Sequence, residues 1–250
     1  MISKNQQKFL HSLQQKKYRV EYQSFMVEGA KSVLELLPSD FTIELLFVTQ
    51  SFYKENELLL AKQPFSVDFA TPEELAKAGT FGTNDAALAV VKTKKNDFLC
   101  VEGSEIILVL DDIRDPGNLG TILRIADWYG IKKVICSETT VDFYNPKVIA
   151  ATMGSFTRVS TYYTSLPDFF ANQVGVPVLG TFLDGSNVHS VEFPKGGYLI
   201  IGNESNGIGT ATAPAVTHRI TIPRFGDAES LNAGVATAIV LDNWRRSNSV

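Results

Sequence analysis

Three separated stretches of this 250-residue chain carry side chains suited to holding a polar or anionic ligand. Asn118 and Arg124 lie in DDIRDPGNLGTILRIADWYG (111–130), Glu204 in GGYLIIGNESNGIG (196–209), and Ser230 and Asn232 in ITIPRFGDAESLNAGVATAIVL (220–241). Together they offer amides that donate and accept, a hydroxyl, a carboxylate and a guanidinium of fixed positive charge. Each stretch also has a plainer reading. Asp115-Pro116-Gly117-Asn118 has the composition of a tight turn, with Asn118 capping the helix that follows and Arg124 pairing with Asp127 on its surface. Gly202, Gly207 and Gly209 permit positive φ and close backbone approach around a solvated Glu204. Ser230-Leu231-Asn232 precedes an apolar helix through Val235, Ile239 and Trp244, where it is a cap, a ligand site at a helix N-terminus, or both.

The elements that position these stretches follow from hydropathy. EIILVLD, KKVICSE, TRVSTYYTS, VPVLGTFLD, GGYLIIG and HRITIP read as strands. LGTILRIADWYG, NPKVIAATMGSF, LPDFFANQ and the segment after Asn232 read as helices. Continuous apolar strands alternating with helices predict an α/β fold with a mostly parallel sheet covered by helices on both faces. In such sheets ligands bind beyond the carboxyl ends of strands, where all three polar stretches fall. Upstream, residues 1 to about 35 read as two helices, KFLHSLQQKKYR and SFMVEGAKSVLELL, the second stopped by Pro38. An alternating series then closes with AALAVVKT near Thr93. The charged, turn-rich stretch that follows suits a linker. The predicted organisation is a small α/β domain over 1–95, a linker over 96–104 and a larger α/β domain over 105–250.

Composition narrows the class. The hydrophobic fraction of 44% supports a substantial core. No apolar run reaches the roughly 18 residues of a membrane span, and the polar N-terminus lacks the apolar stretch of a signal peptide. Cys100 and Cys136 read as buried, reduced thiols, which points to the cytoplasm. His11, His189 and His218 are scattered and form no metal-ligand set with them, so no metal is expected. A net charge of −4 does not advertise a nucleic-acid binder, but Lys4, Lys8, Lys16, Lys17, Arg19 and Lys31 crowd the first 35 residues and make a local basic surface that can meet phosphates. The second stretch is neither a GxGxxG fingerprint nor a P-loop, and no GxSxG elbow occurs.

Taken in order, DPGNLGTILRIA, IIGNESNGI and IPRFGDAESLNAGVATAI closely resemble the three motifs of the SpoU (TrmH) family of RNA 2′-O-ribose methyltransferases in the SPOUT superfamily. The resemblance spans about 105–246 and rests on Asn118, Gly120, Arg124, Gly202, Glu204, Gly207, Pro223, Gly226, Ser230, Leu231 and Asn232. The KKYR helix pair, FMVEG and AALAVV resemble the substrate-binding domain that precedes this core in many members. The resemblance implies a trefoil-knotted domain that binds S-adenosylmethionine, a homodimer whose interface includes the last helix and the first-motif helix, and an RNA substrate. Ribosomal RNA is the first expectation and transfer RNA the second. Leu179, Gly180, Thr181, Phe182, Gly202, Asn203, Glu204, Gly207, Ile222, Pro223, Ser230, Leu231 and Asn232 would line the cofactor site. Arg124 would orient the ribose and a phosphate rather than act as a base, because guanidinium stays charged. Asn118 and Glu204 would hold it and the loops, while Ser230 and Asn232 would face the ribose or the cofactor. Lys16, Lys17, Arg19 and Arg124 are the expected RNA contacts. The chain departs from the family at Arg224, where Met is frequent, and at Ala233-Gly234, where Val-Ser is common. Two rival classes stand beside this reading: a non-catalytic RNA-binding protein of the same fold, and a nucleotide-cofactor enzyme of conventional doubly wound type. The first is disfavoured by the intact polar set, the second by the lack of a glycine-rich first turn.

Overall fold

A computed structural model describes residues 1–248, so positions 249–250 of the expected second domain lie outside the described residues. Two compact units emerge: Met1–Lys95 with Asp142–Thr157, and Asn96–Val141 with Arg158–Val250. The first contains α1 (Lys4–Ser12), α2 (Lys16–Tyr22), β1 (Ser24–Glu28), α3 (Ala30–Leu36), β2 (Ile43–Val48), α4 (Gln50–Glu55), α5 (Glu57–Leu60), β3 (Asp68–Phe69), α6 (Pro72–Ala78) and β4 (Ala87–Lys92). The second begins with β5 (Ile106–Leu110), α7 (Pro116–Trp128) and β6 (Lys133–Ser137). The chain returns to the first unit for α8 (Pro146–Thr152). It re-enters the second as β7 (Ser160–Thr164), α9 (Leu166–Ala171), β8 (Val178–Asn187), β9 (Gly197–Ile201), β10 (His218–Thr221) and α10 (Ala233–Asn248). No helix is long and apolar enough among the described residues to cross a membrane.

The first unit is built on a four-stranded sheet of order β1-β4-β2-β3. SFMVE, expected in a helix, is its strand β1, with all five residues buried. Met26 joins Leu10, Leu13, Phe47, Leu75, Leu88 and Val90 in one core. Phe25, on the other face, meets Phe41, Tyr144 and Phe156 at centroid distances of 5.7, 4.6 and 6.1 Å. That aromatic cluster explains why 142–157, expected in the second domain, packs in the first unit. The helix expected through KFLHSLQQKKYR is broken at Leu13–Gln15 into α1 and α2.

Arg19 corrects an expectation. It is 3% exposed and does not face solvent to meet phosphate. Its Nε and Nη2 donate to Asp142 Oδ2 at 2.9 and 2.6 Å, and its Nη1 donates to the carbonyls of Leu13 and Gln14. Helical geometry puts Arg19 on the packed side of α2 while Lys16 and Lys17 stay exposed.

The second unit holds a six-stranded sheet of order β10-β8-β9-β5-β6-β7. Every pairing is parallel. Ile107 and Val109 of β5 and Tyr198 and Ile200 of β9 share one face with Leu166 and Phe169 of α9. Alternation turns Leu108 and Leu110 to the opposite face. Residues 96–104 form no helix or strand, yet they are docked within this unit rather than free. Asn96 exchanges hydrogen bonds with the Tyr163 backbone, and Tyr198 Oη accepts from the Val101 amide. Cys136 is buried, which pushes its thiol up to about 12; Cys100 is only half-buried, and both are free.

The FMVEG stretch has a structural cause. The Glu28 carboxylate is buried and accepts from the Thr80 amide, the Thr80 hydroxyl and the Phe81 amide. A Cβ at Gly79 would fall 2.0 Å from Glu28 Oε2. Glu28→Ala leaves those donors unpaired. It is expected to lower stability by about 2–4 kcal/mol in denaturant unfolding. A loss below about 0.5 kcal/mol would show that water replaces the carboxylate.

Candidate functional site

The three polar stretches follow the carboxyl ends of β5, β9 and β10. The helix after the first is capped by Asp115, not Asn118: Asp115 Oδ1 accepts from the Asn118 amide at 2.8 Å. Asn118 therefore sits on the first turn of α7 with its side chain released from capping. Its Nδ2 donates to Glu204 Oε1 in the second stretch. Its Oδ1 accepts from Asn232 Nδ2 in the third at 2.7 Å. Asn232 Oδ1 meanwhile accepts from the amides of Gly234 and Val235 at 2.9 and 3.3 Å. Asn232 thus caps α10 and faces the other two loops.

The second loop is held from below. Asn203 and Gly207 exchange backbone hydrogen bonds at 3.0 and 2.8 Å, with Gly207 at φ +67. A Cβ on Gly202 would lie 2.2 Å from the Gly207 backbone, so only glycine fits. The Asn203 side chain, expected at the cofactor, is committed to the loop itself. Its Oδ1 accepts from Ser205 and Asn206, and its Nδ2 donates to the Asp112 carbonyl. Asn203 can therefore present only backbone to a ligand. Buried Asp111 accepts from the Gly209 amide at 2.9 Å and pins the far end of the loop.

The remaining expected residues are not drawn into this relay. Arg124 is exposed on α7 and forms no ion pair among the described residues. The pairing considered for it goes instead to Arg158, whose Nη2 lies 2.8 Å from Asp127. Ser230 and Leu231 are exposed, Ile222 and Pro223 half-buried. Leu179 and Gly180 lie inside the sheet, with Thr181 and Phe182 half-buried beyond them. The Arg219 guanidinium sits 3.7 Å over the Phe182 ring, so one face of that ring is occupied. The Gly234 departure has a packing reason: a Cβ there would come within 3.0 Å of Thr121 Cγ2, where α10 crosses α7. No cluster of His, Cys, Asp or Glu among the described residues could hold a metal.

Sequence reasoning missed the aspartates around the relay. Asp112 is a non-glycine residue in the left-handed region at φ +61, and its amide donates to Ser137 Oγ at 2.9 Å. The adjacent acids Asp111-Asp112, at the end of a buried strand, were the available signal. The arrangement can bind and orient. It joins loops 86 and 114 residues apart into one rim of amides and carboxylate, with the Arg124 guanidinium further along α7 forming no ion pair among the described residues.

The SpoU rRNA Methylase family model matches residues 105–242, and the MRM3-like substrate binding domain model matches 4–81. Over 97% of both chains the sequence is 29% identical to the 23S rRNA (guanosine(2553)-2'-O)-methyltransferase RlmP of Bacillus subtilis. A TrmH-family structure from Porphyromonas gingivalis is 36% identical with a TM-score of 0.85, covering 98% of this chain and 99% of that one. The AdoMet-bound rRNA methyltransferase of Sinorhizobium meliloti is 29% identical with a TM-score of 0.86, covering 98% and 97%.

Asn232→Ala removes a cap and one arm of the relay. It is expected to cost about 1 kcal/mol of stability. Because Asn118→Ala breaks the same link, the double variant should lose less than the sum of the single losses in thermal unfolding. Strict additivity would mean the Asn118–Asn232 bond contributes nothing in solution.

Proposed function

Since the chain belongs to the SpoU rRNA methylase family, we propose that it transfers a methyl group from S-adenosylmethionine to a ribose 2′-hydroxyl of ribosomal RNA, with transfer RNA the second substrate class. The observation that carries this reading is the Glu204–Asn118–Asn232 relay, which ties one residue of each family motif to the next. The relatives named as 23S rRNA 2'-O-methyltransferases and the AdoMet-bound neighbour support it.

The residues fit that cofactor. It joins an apolar aromatic end to a charged polar one. Here apolar Ile222 and Leu231 share the third stretch with polar Ser230 and Asn232, and Gly202, where a Cβ would meet the Gly207 backbone at 2.2 Å, lets the second loop close so that its backbone can face a ligand. Ile222, Pro223, Leu231 and the 202–207 backbone would hold the adenine and ribose, and Ser230 and Asn232 the polar end. When bound, S-adenosylmethionine supplies an electrophilic methyl group on a sulfonium. A guanidinium does not act as a base, so Arg124 orients the ribose and its phosphate. Its fixed charge also stabilises the oxygen of the hydroxyl as that oxygen gains negative character. Lys16 and Lys17, exposed on α2, are the remaining RNA contacts of the first unit.

Two finer features belong to the same reading. The stretch from β8 to α10 forms the knotted part of the second domain; the position of β8 between β9 and β10 is consistent with a chain that crosses over there. A second copy of the chain covers the exposed side of α7 and α10. Trp128 is 84% exposed one turn beyond Arg124, and Val235 is exposed on α10. A large apolar side chain left open beside a site residue suits an interface.

The deciding experiment supplies labelled S-adenosylmethionine and total RNA from a strain lacking the protein, then digests the RNA with alkali. A 2′-O-methyl group blocks alkaline cleavage, so label is expected in alkali-resistant dinucleotides. Label in mononucleotides would point to base methylation and overturn the ribose assignment. Arg124→Ala is expected to slow transfer about a hundredfold or more while cofactor binding stays within about twofold; equal loss of binding would remove Arg124 from the chemistry. Light scattering at micromolar concentration is expected to find a dimer for the wild type and a monomer for Trp128→Glu.

A further inference from the structure

We propose that Arg114, held by Asp112, is an RNA phosphate contact at the rim of the site. This rests on the methyltransferase reading above and extends it to residues outside the family motifs on which that reading stands.

The observations converge on the turn between β5 and α7. Asp112 takes a left-handed backbone conformation that non-glycine residues adopt at a cost, and such strain persists only where the surroundings enforce it. Here they do. The Asp112 amide donates to Ser137 Oγ at 2.9 Å, and its carbonyl accepts from Asn203 Nδ2 at 2.8 Å. That fixes where its carboxylate points. Oδ1 accepts from Arg114 Nε at 2.9 Å. Burial opposes ionisation of Asp112, but hydrogen bonds from Arg114 and Thr139 and the charge of Arg114 outweigh it and pull the carboxyl below its ordinary range. The carboxylate is thereby favoured in the charged form that anchors Arg114.

Arg114 itself is 71% exposed. Its anchor uses Nε alone, and no other hydrogen bond to it occurs among the described residues. The two terminal nitrogens are therefore free and pre-aimed, in the fork that matches two phosphate oxygens. The turn also lies between two cross-loop links, Asp112 to Asn203 and Asn118 to Glu204. Arg114 thus stands on the rim of the relay.

Charge argues for phosphate there. Asp111, Asp112, Asp115 and Glu204 gather at the ends of β5 and β9, and a polyanion approaching them needs compensation. Between Asp111 and Trp128 the only basic residues are Arg114 and Arg124. An exposed guanidinium suits a backbone phosphate on the open side better than a cofactor enclosed by loops.

The test compares wild type, Arg114→Ala, Arg114→Lys and Asp112→Gly in methyl transfer to total RNA from the strain lacking the protein. RNA binding to the same pool is measured across a salt series. Arg114→Ala is expected to raise KM for RNA about three- to tenfold at unchanged kcat and to reduce the salt slope of binding by about one. The S-adenosylmethionine Kd should stay within about twofold, which also reports an intact fold. Asp112→Gly keeps the left-handed backbone accessible and removes the carboxylate, and with it both the Arg114 anchor and the Thr139 hydrogen bond, making Asp112 a positioning residue. It should raise KM by a smaller factor, leave the salt slope intact and add nothing to Arg114→Ala. Arg114→Lys should keep the slope and recover part of the KM. An unchanged KM and slope in Arg114→Ala overturns the proposal, as does a weakened cofactor Kd at normal RNA KM, which would assign Arg114 to the cofactor. If the wild type neither methylates nor binds this RNA, the methyltransferase reading fails and the proposal falls with it.

Discussion

Asn118 is hydrogen-bonded to both of the other site loops, and the arrangement of the three loops depends on that pair of hydrogen bonds. It donates to Glu204 and accepts from Asn232. Only an amide of this length does both. Aspartate has no donor for Glu204, and glutamine places the same group one methylene further out. The role is available because Asp115 takes over the capping of α7. Each partly exposed hydrogen bond contributes only about 1 kcal/mol, so the relay does not hold the fold together. It sets which of several loop arrangements the rim adopts, and that is what a site needs from loops carried on a rigid sheet.

Beneath the relay, three aspartates within five residues do three different things. Asp111 receives the Gly209 amide, Asp112 spans to Asn203 and Ser137, and Asp115 caps α7. All three follow β5, which lies between β9 and β6 in the sheet. A strand in that position can reach the neighbouring strand ends on both sides. The β5–α7 turn therefore organises the second loop as well as its own helix. Gly202 completes the arrangement by letting the second loop close on itself without a side chain in the way.

Much of this was legible in the sequence. The parallel sheet was, because strands buried on both faces read as continuous apolar runs between helices. The three polar stretches were, because each directly follows a strand and together they resemble the SpoU motifs. What failed were features decided at long range. SFMVE has no alternation, and a short apolar run fits a buried strand as well as a helix; the core on both its faces made it β1. Residues 142–157 joined the first unit through Phe25 and through Arg19–Asp142, partners 123 residues apart. Arg19 looked like one more cation in KKYR, and nothing local reveals that the Asp142 carboxylate is waiting on the packed side. The Asp112 conformation was hidden for the same reason, since its enforcing partners lie on β6 and after β9.

The fate of the arginines says how a chain of net charge −4 can meet RNA. Arg19, Arg158 and Arg219 are each tied to an aspartate, at 2.6, 2.8 and 2.5 Å. Those cations are neutralised by partners already in the fold and offer little long-range attraction to a polyanion. Among the described residues Arg124 has no such partner, while Arg114 is paired through Nε with both terminal nitrogens spare. With Lys16 and Lys17 exposed on the first unit as well, the positive charge open to a polyanion is placed locally rather than spread evenly over the surface. A rim of hydrogen-bonded amides and a few oriented cations is a surface that selects by shape more than by bulk charge.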